Sequence, residues 1–205
     1  MDEVTIEPID LAAYAAAALD VQAAAFGLSP DELAVRLQIV ERHAQLPGVH
    51  AFGAFRARTL VGFGYGMPND RAHWWSSVIE PYLAANGNEG WLDDAFSVTE
   101  LHVHPRFQGV GLGRALITTL CGASGLPRSI LSAVDRETPA RALYRSLGYH
   151  DLARRVLFPN TLLPYAVMGA TLPLPTPRRI PGWSRPRNQG PGPSQDRSED
   201  QSRSQ

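Results

Sequence analysis

The sequence predicts an α/β fold of the α+β kind, in which helices flank a mixed, largely antiparallel central sheet. Short runs rich in β-branched and aromatic residues alternate with longer segments whose apolar residues recur with helical spacing. Two neighbouring runs, 50–55 and 60–67, are separated only by a turn near Arg56–Thr59 and therefore predict a hairpin. With 205 residues, of which 44% are hydrophobic, the chain is large enough for one domain with its own core.

The first half of the chain begins with a strand and two helices. Pro30 follows Ser29 and precedes two acidic residues, which is typical of a helix start. The segment 67–95 is too long for a loop without secondary structure, so we expect a helix within it. Its three tryptophans either shape a substrate pocket or complete the core. The predicted elements are a strand at 4–9, helices at 11–26 and 30–45, the two hairpin strands, and a helix near Trp74–Ala85.

The second half continues with strands and helices, and the folded domain is predicted to span 1–172. Helix Leu112–Cys121 places its leucines on one stripe, where Cys121 should be buried. From Pro173 the composition changes to seven prolines and six arginines in 33 residues, so we expect 173–205 to be a disordered tail. The remaining predicted elements are a strand at 96–103, a strand at 129–134, a helix that carries Tyr144, and strands at 152–158 and 164–172.

A glycine-rich loop separates the strand at 96–103 from the helix that follows it. Gly109, Gly111 and Gly113 fall within five residues. Bare backbone N–H groups at such a helix start bind a phosphate or pyrophosphate without a cationic side chain. The Walker A motif needs a lysine, which this chain lacks, and the dinucleotide fingerprint needs the spacing G-x-G-x-x-G. The spacing that fits is Q-x-x-G-x-G, beginning at Gln108.

A second motif lies at 137–149, with the sequence ETPARALYRSLGY. Thr138 is a good N-cap, and Pro139 suits the first helical position. Gly148 is placed to end the helix in the left-handed conformation. One apolar face is predicted for this helix, formed by Ala140, Leu143, Tyr144 and Leu147.

Together the two motifs resemble those of the GCN5-related N-acetyltransferase (GNAT) family. The loop matches the family's pyrophosphate loop, and Ala140, Tyr144 and Gly148 match its late helix, in which Glu137 replaces a common asparagine. The resemblance covers about residues 4–172 and implies a GNAT-like acyl-CoA N-acyltransferase fold with acetyl-CoA as co-substrate. The pyrophosphate would bind the loop amides, and the pantetheine arm would pair with the preceding strand. The residues expected to bind the coenzyme are Leu101, His102, Val103, Gln108, Gly109, Val110, Gly111, Leu112, Gly113 and Arg114.

Two side chains suit acyl transfer from a thioester to an amine. Glu100 lies in an otherwise apolar strand, and simple alternation would place it on one face with Phe96, Val98 and His102. Glu100 is the candidate general base, with His102 as the alternative, because an imidazole exchanges protons nearer neutral pH. Tyr144 is the candidate general acid, since a phenol can protonate a departing thiolate. The resemblance assigns that tyrosine the same role.

The sequence therefore predicts an acyl-CoA-dependent N-acetyltransferase that transfers directly to a primary amine in a ternary complex. An acyl-CoA-binding sensor with little turnover is the alternative, and O-acylation or a longer acyl group stays open. The acceptor is expected to be a small-molecule or peptide amine, because Glu89, Asp93 and Asp94 near the expected pocket would suit a cationic amine. No nucleic acid partner is expected, because a net charge of −1 gives no general attraction to nucleic acid.

Several further properties are expected from the residue types present. No metal is expected, since His102 and His104 have no further ligands nearby in the sequence. A single cysteine and the lack of an apolar leader pattern favour a cytoplasmic protein without a membrane span. The oligomeric state is open, with a homodimer as one option.

Overall fold

A single seven-stranded sheet forms the centre of the computed structural model, which describes residues 3–159 and 161–175. The strands are β1 Val4–Pro8, β2 His50–Arg56, β3 Thr59–Pro68, β4 Ala95–Val103, β5 Arg128–Val134, β6 His150–Val156 and β7 Tyr165–Thr171. Their order in space is β1-β2-β3-β4-β5-β7-β6, and every neighbouring pair is antiparallel except β4 and β5. The predicted mixed, largely antiparallel sheet is confirmed.

Helices cover both faces of this sheet. The α-helices of the described residues are α1 Ala15–Phe26, α2 Pro30–Ala44, α3 Trp74–Ala84, α4 Leu112–Ala123 and α5 Pro139–Ser146. Helices α1 and α2 pack on one face, where they bury Phe63, Tyr65 and Met67 of β3. Helices α4 and α5 pack on the other face, against Phe96 and Val98 of β4. The alternating apolar residues of the strands thus supply two cores.

Helix α1 begins later than predicted, at Ala15 instead of residue 11. The Asp10 carboxylate accepts hydrogen bonds from the backbone N–H groups of Ala12 (2.9 Å) and Ala13 (3.3 Å). An aspartate bonded in this way holds a turn and competes with helix formation. Helix α2 begins where it was predicted, because its N-cap serine and a glutamate in its first turn each bond the other's backbone.

Helix α5 buries a charged residue that the predicted apolar face omitted. Arg141 is fully buried, whereas Ala140 is exposed, so that part of the predicted face is wrong. The Arg141 guanidinium donates to Asp135, just after β5, at 2.8 Å, and to both oxygens of Asp151 in β6 at 2.5 and 2.6 Å. These ion pairs offset the cost of burying the charge and tie α5 to two strands.

The helix predicted within the segment 67–95 is α3, and a 3₁₀ turn at Glu89–Leu92 follows it. Ile79 and Leu83 of α3 are fully buried against residues of β5, β6 and β7. The insertion therefore completes the core on that side of the sheet, where Trp75 and Trp91 pack against it, whereas Trp74 is 58% exposed.

Strands β4 and β5 separate soon after they pair. Their parallel pairing joins Ala95–Ser97 to Arg128–Ile130 and stops there, although β4 continues to Val103. Beyond the last pair, no strand of the described residues pairs with the edge of β4 that faces β5. Such an edge can pair with an added extended chain.

The packed chain extends slightly past residue 172. Leu174 is 5% exposed and lies in the same core cluster as Tyr144. Residues 176–205, which make up most of the predicted tail, lie outside the described residues. Among the residues that the structure describes, no helix is both long and apolar enough to cross a membrane.

Candidate functional site

The loop between β4 and α4 presents a row of backbone amides. Gly109 (φ 77°) and Gly111 (φ 87°) adopt left-handed conformations, and Gly111 is the N-cap of α4. In the described part of the chain, the N–H groups from Gly109 to Arg114 donate to no protein acceptor. At a helix start these groups carry partial positive charge and form a concavity that suits an anion.

Side chains hold this loop in place. Gln108 donates from Nε2 to the carbonyl oxygen of Val103 at 2.8 Å, and its own N–H bonds to the Pro105 carbonyl. The Gln108 side chain therefore closes the loop onto the end of β4. Arg114 of α4 donates to the Ser146 hydroxyl at the end of α5, which links the loop to the helix that carries Tyr144.

The face on which Glu100 lies differs from the prediction. Gly66 of β3 pairs with Val98, and the next pair along β4 begins at Glu100, so β4 has one extra residue at this point. A β-bulge of this kind shifts the alternation of side chains by one position. Glu100 and His102 therefore share the face of α1, whereas Phe96 and Val98 pack on the α4 face.

Glu100, His102 and Gln22 form a polar cluster between β4 and α1. Glu100 Oε2 lies 2.5 Å from His102 Nε2 and 3.2 Å from Nε2 of the buried Gln22. Because an ionised carboxylate can only accept, His102 Nε2 carries the hydrogen of its contact with Glu100. The other Glu100 oxygen, Oε1, has no hydrogen-bond partner among the described residues, and the side chain is 27% exposed against 10% for His102.

A second hydrogen-bonded pair lies beside this cluster. Tyr65, which pairs with Glu100 across the strands, has its hydroxyl 3.1 Å from Nδ1 of His43 on α2. Burial and the charge of Glu100 raise the pKa of Tyr65 far above its usual range. Burial lowers the pKa of His43, although the Glu100 charge opposes this shift. Both side chains therefore stay uncharged near neutral pH.

Tyr144 comes from the opposite face of the sheet. It is 8% exposed, and its ring lies 5.7 Å from that of Tyr149. Burial, assisted by the charge of Glu100, raises the pKa of Tyr144 to about 12. The Tyr144 phenol therefore keeps its proton at physiological pH and can act as a donor.

Cys121 is enclosed in the core, as predicted. It is 2% exposed, and its Sγ lies 3.5 Å from the Ser129 hydroxyl and 3.6 Å from the Tyr149 hydroxyl. Burial raises the pKa of the Cys121 thiol. A buried protonated thiol is a poor nucleophile. Within the described ranges, no three His, Cys, Asp or Glu side chains are grouped so that they could hold a metal ion.

The part of the chain that contains this site matches a known protein family. The sequence model of the acetyltransferase (GNAT) domain matches residues 48–151, which include the glycine loop and α5. The chain belongs to the GNAT acetyltransferase family. The resemblance drawn from the two sequence motifs is thereby confirmed.

Curated GNAT relatives are about one-third identical to this chain. A GCN5-like protein acetyltransferase of Mycobacterium tuberculosis is 32% identical over 123 residues, which are 56% of this chain and 60% of that protein. A mycothiol acetyltransferase of Thermobispora bispora is 33% identical over 139 residues, which are 64% of this chain and 41% of that protein. The chain thus spans about half the length of the curated relatives it matches.

Solved GNAT structures share the fold at lower identity. A protein assigned to this family from Desulfovibrio desulfuricans superimposes with a TM-score of 0.62 at 18% identity, covering 82% of this chain and 98% of that one. An acetyltransferase from Salmonella typhimurium, solved with its cofactor acetyl-CoA, gives a TM-score of 0.58 at 19% identity, covering 82% and 94%. These likenesses establish the GNAT fold of the chain.

Gln22 is the member of this GNAT site that sequence reasoning missed. It lies on the buried stripe of α1, in register with Ala15, Ala18 and Leu19. The sequence does contain a signal for Gln22: it is polar, although the helical period calls for an apolar residue at its position. Its partner Glu100 is 78 residues away in the sequence, so the helical period of α1 could not predict their hydrogen bond.

Proposed function

We propose that this GNAT protein is an N-acetyltransferase that moves the acetyl group of acetyl-CoA directly to a primary amine in a ternary complex. The observation that carries the proposal is the row of unpaired amides from Gly109 to Arg114, next to the unpaired edge of β4. The amide row suits an anion, and the free edge of β4 suits an extended chain that contains amides. Acetyl-CoA offers both, together with the thioester that serves as acetyl donor.

The coenzyme-binding residues follow from this placement. Backbone N–H groups of the loop bind the pyrophosphate, and Gln108 keeps the loop closed. The free edge of β4 binds the pantetheine amides, which orients the thioester near Glu100 and Tyr144. The binding residues are Leu101, His102 and Val103 in β4, and Gln108, Gly109, Val110, Gly111, Leu112, Gly113 and Arg114 in the loop and α4.

Glu100 is the proposed general base. Its Oε2 is taken by His102 and Gln22, while Oε1 is available to accept a proton from the amine, directly or through a water molecule. As the amine nitrogen bonds to the carbonyl carbon, Glu100 removes the N–H proton. His102 is less exposed, and its Nε2 is engaged with Glu100, so it orients the carboxylate in this proposal.

Tyr144 is the proposed general acid. When the bond between the carbonyl carbon and the sulfur breaks, the Tyr144 hydroxyl gives its proton or a hydrogen bond to the departing thiolate. Its high pKa ensures that the proton is present, and the phenolate that would result is reprotonated from solvent. Transfer through an acetylated Cys121 is disfavoured, because that thiol is enclosed and protonated.

The direct test is release of free coenzyme A from acetyl-CoA in the presence of single amines, including polyamines, amino sugars, amino acid derivatives and peptides. Peptides belong in the panel because the relative from Mycobacterium tuberculosis is named a protein acetyltransferase. Turnover with at least one amine is expected. Tight coenzyme binding without turnover on any of them would favour the sensor hypothesis instead.

Tyr144→Phe is expected to lower kcat by about 10²-fold while changing acetyl-CoA affinity little, because only the transferable proton is lost. Steady-state kinetics together with coenzyme titration separate the two effects. Tyr149→Phe is the matched control, since its hydroxyl bonds Ser129 in the core and should matter for stability alone. Wild-type turnover by Tyr144→Phe would remove the tyrosine from the mechanism.

Gln22→Leu is expected to lower kcat, because the Glu100 carboxylate loses a hydrogen-bond donor that orients it beside His102. Acetyl-CoA affinity should change little, and steady-state kinetics with coenzyme titration measure both quantities. Gln38→Leu, at an exposed position on α2, should leave kcat unchanged. A role for Gln22 in stability alone would lower the yield of folded protein without changing kcat.

A further inference from the structure

A second concavity lies beside the glycine loop, at the turn that joins β2 to β3. It is open to solvent and has a volume of about 470 Å³, which is within the usual size range of small-molecule sites. Because β3 runs antiparallel to β4, with Gly62 opposite Val103, this turn meets the end of β4. The acyl-transfer steps described above make no use of this cavity. Its lining includes Arg56, Leu60 and Val61 from the hairpin, and His104, Arg106 and Phe107 after β4.

The residues that line the cavity include two arginines and no carboxylate. The ion pairs found between described residues include neither Arg56 nor Arg106. The Arg56 guanidinium lies over the Phe107 ring, 5.6 Å from its centroid, which fixes the cation at the wall without neutralising it. Unlike Arg71, Arg141, Arg145 and Arg154, which pair with carboxylates, Arg56 and Arg106 stay available to another anion.

His104 adds a further donor to the lining. Its Nδ1 accepts a hydrogen bond from the Arg106 backbone N–H at 3.3 Å, so the hydrogen of the neutral ring is on Nε2. The ring packs edge-on against Phe107, with centroids 5.9 Å apart. Two guanidinium groups and an imidazole N–H beside aromatic and aliphatic carbon match a phosphate monoester carried on a nucleoside.

We propose that this cavity binds the 3′-phosphate of the adenosine of coenzyme A, an inference that rests on the proposed function. Coenzyme A carries a pyrophosphate and a phosphomonoester on the same ribose, so both must bind within the length of one nucleotide. Phe107 is two residues before Gly109, which limits their separation to about 7.6 Å along the backbone. The loop amides take the pyrophosphate, and Arg56 and Arg106 take the second phosphate group.

Calorimetric titration of coenzyme A and dephospho-coenzyme A tests the assignment, because the two ligands differ only in the 3′-phosphate. The wild-type protein is expected to bind coenzyme A about tenfold or more tightly than the dephospho form. In the double variant Arg56→Gln/Arg106→Gln the two affinities should become nearly equal. Arg58→Gln, in the same turn but outside the lining, should keep the discrimination. Raising the ionic strength should reduce it, as expected for exposed charges.

Each titration result that contradicts the prediction leads to a different conclusion. Equal affinities of the wild-type protein for both ligands would overturn the phosphate site and leave the acetyltransferase proposal intact. No binding of either ligand would refute the proposed function itself. Loss of discrimination in Arg58→Gln would point to overall charge and against the cavity. A further outcome is that coenzyme A binds no more tightly than dephospho-coenzyme A, while the complex with dephospho-coenzyme A still binds AMP. That outcome would assign the cavity to a separate nucleotide.

Discussion

Replacing Glu100 with glutamine is expected to lower kcat by about 10²- to 10⁴-fold, the range typical of a lost general base. The amide keeps the shape of the carboxylate and can still contact His102 and Gln22, but it cannot take the proton of the attacking amine. Acetyl-CoA affinity should change little, because the coenzyme is held by the loop and the edge of β4. Steady-state kinetics at saturating acceptor measure the first quantity, and coenzyme titration measures the second.

Two controls make this result specific to the proposed base. Glu137→Gln removes an exposed carboxylate from the same protein, one that pairs with Arg145 at the surface, and should leave kcat unchanged. His102→Gln removes the group that orients Glu100 and should have a smaller effect than Glu100→Gln. The opposite ranking, with near-normal turnover in Glu100→Gln and a large loss in His102→Gln, would transfer the role of base to the histidine.

Replacing Arg141 with alanine is expected to cost about 3–5 kcal/mol of unfolding free energy, as found when one partner of a buried ion pair is removed. The Arg141 side chain is fully buried between Asp135, which is 3% exposed, and Asp151. Its loss leaves the exposed Arg154 as the one side-chain partner of the Asp135 charge among the described residues. Denaturant unfolding of the wild-type and variant proteins measures the difference.

Arg145→Ala is the matched control, because it lies on the same helix and pairs with Glu137 at the surface. Exposed pairs contribute little, so this variant should unfold at nearly the wild-type denaturant concentration. A similar loss in both variants would show that the helix itself, and not the buried ion pair, determines the cost.

The same cluster predicts how stability depends on pH. Burial would raise the pKa of Asp135, but hydrogen bonds from Arg154 and the Arg155 amide, with the charges of Arg154 and Arg141, hold it below its ordinary value. A carboxyl whose pKa is lowered by folding stabilises the protein above its unfolded pKa of about 3.9. That contribution should disappear as the pH falls through the lower folded value, and it should be smaller in Arg141→Ala.

Local patterns were sufficient to predict most of the fold. Helix α2 begins at its Ser29 cap, the hairpin of β2 and β3 turns where polar residues interrupt two apolar runs, and Thr138 caps α5 by accepting from the Arg141 N–H. Each of these signals acts over a few residues, so it can be read from neighbours in the chain. The glycine loop belongs to the same class, because its left-handed residues are glycines.

The features that the sequence did not predict depend on distant residues. The bulge that turns Glu100 toward α1 occurs opposite Gly66, where any side chain would overlap the carbonyl oxygen of Ser97. That close approach exists only once the two strands are paired. The burial of Arg141 likewise depends on carboxylates in or next to two strands, which helical periodicity cannot reveal. Periodicity therefore predicted an alanine where the fold buries a charge.

The central claim is that the loop before α4 binds the diphosphate of coenzyme A, and calorimetric titration of coenzyme A into wild-type and Gly111→Val protein tests it most directly. A β-branched residue cannot adopt φ 87° without strain, so the variant should disturb the amide row. Gly87→Val imposes a similar backbone strain at φ 68° outside the site and controls for lost stability. The prediction is saturable heat for wild-type and Gly87→Val protein, and affinity lower by about tenfold or more for Gly111→Val. Absence of heat with the wild-type protein, or unchanged affinity in Gly111→Val, would contradict the claim.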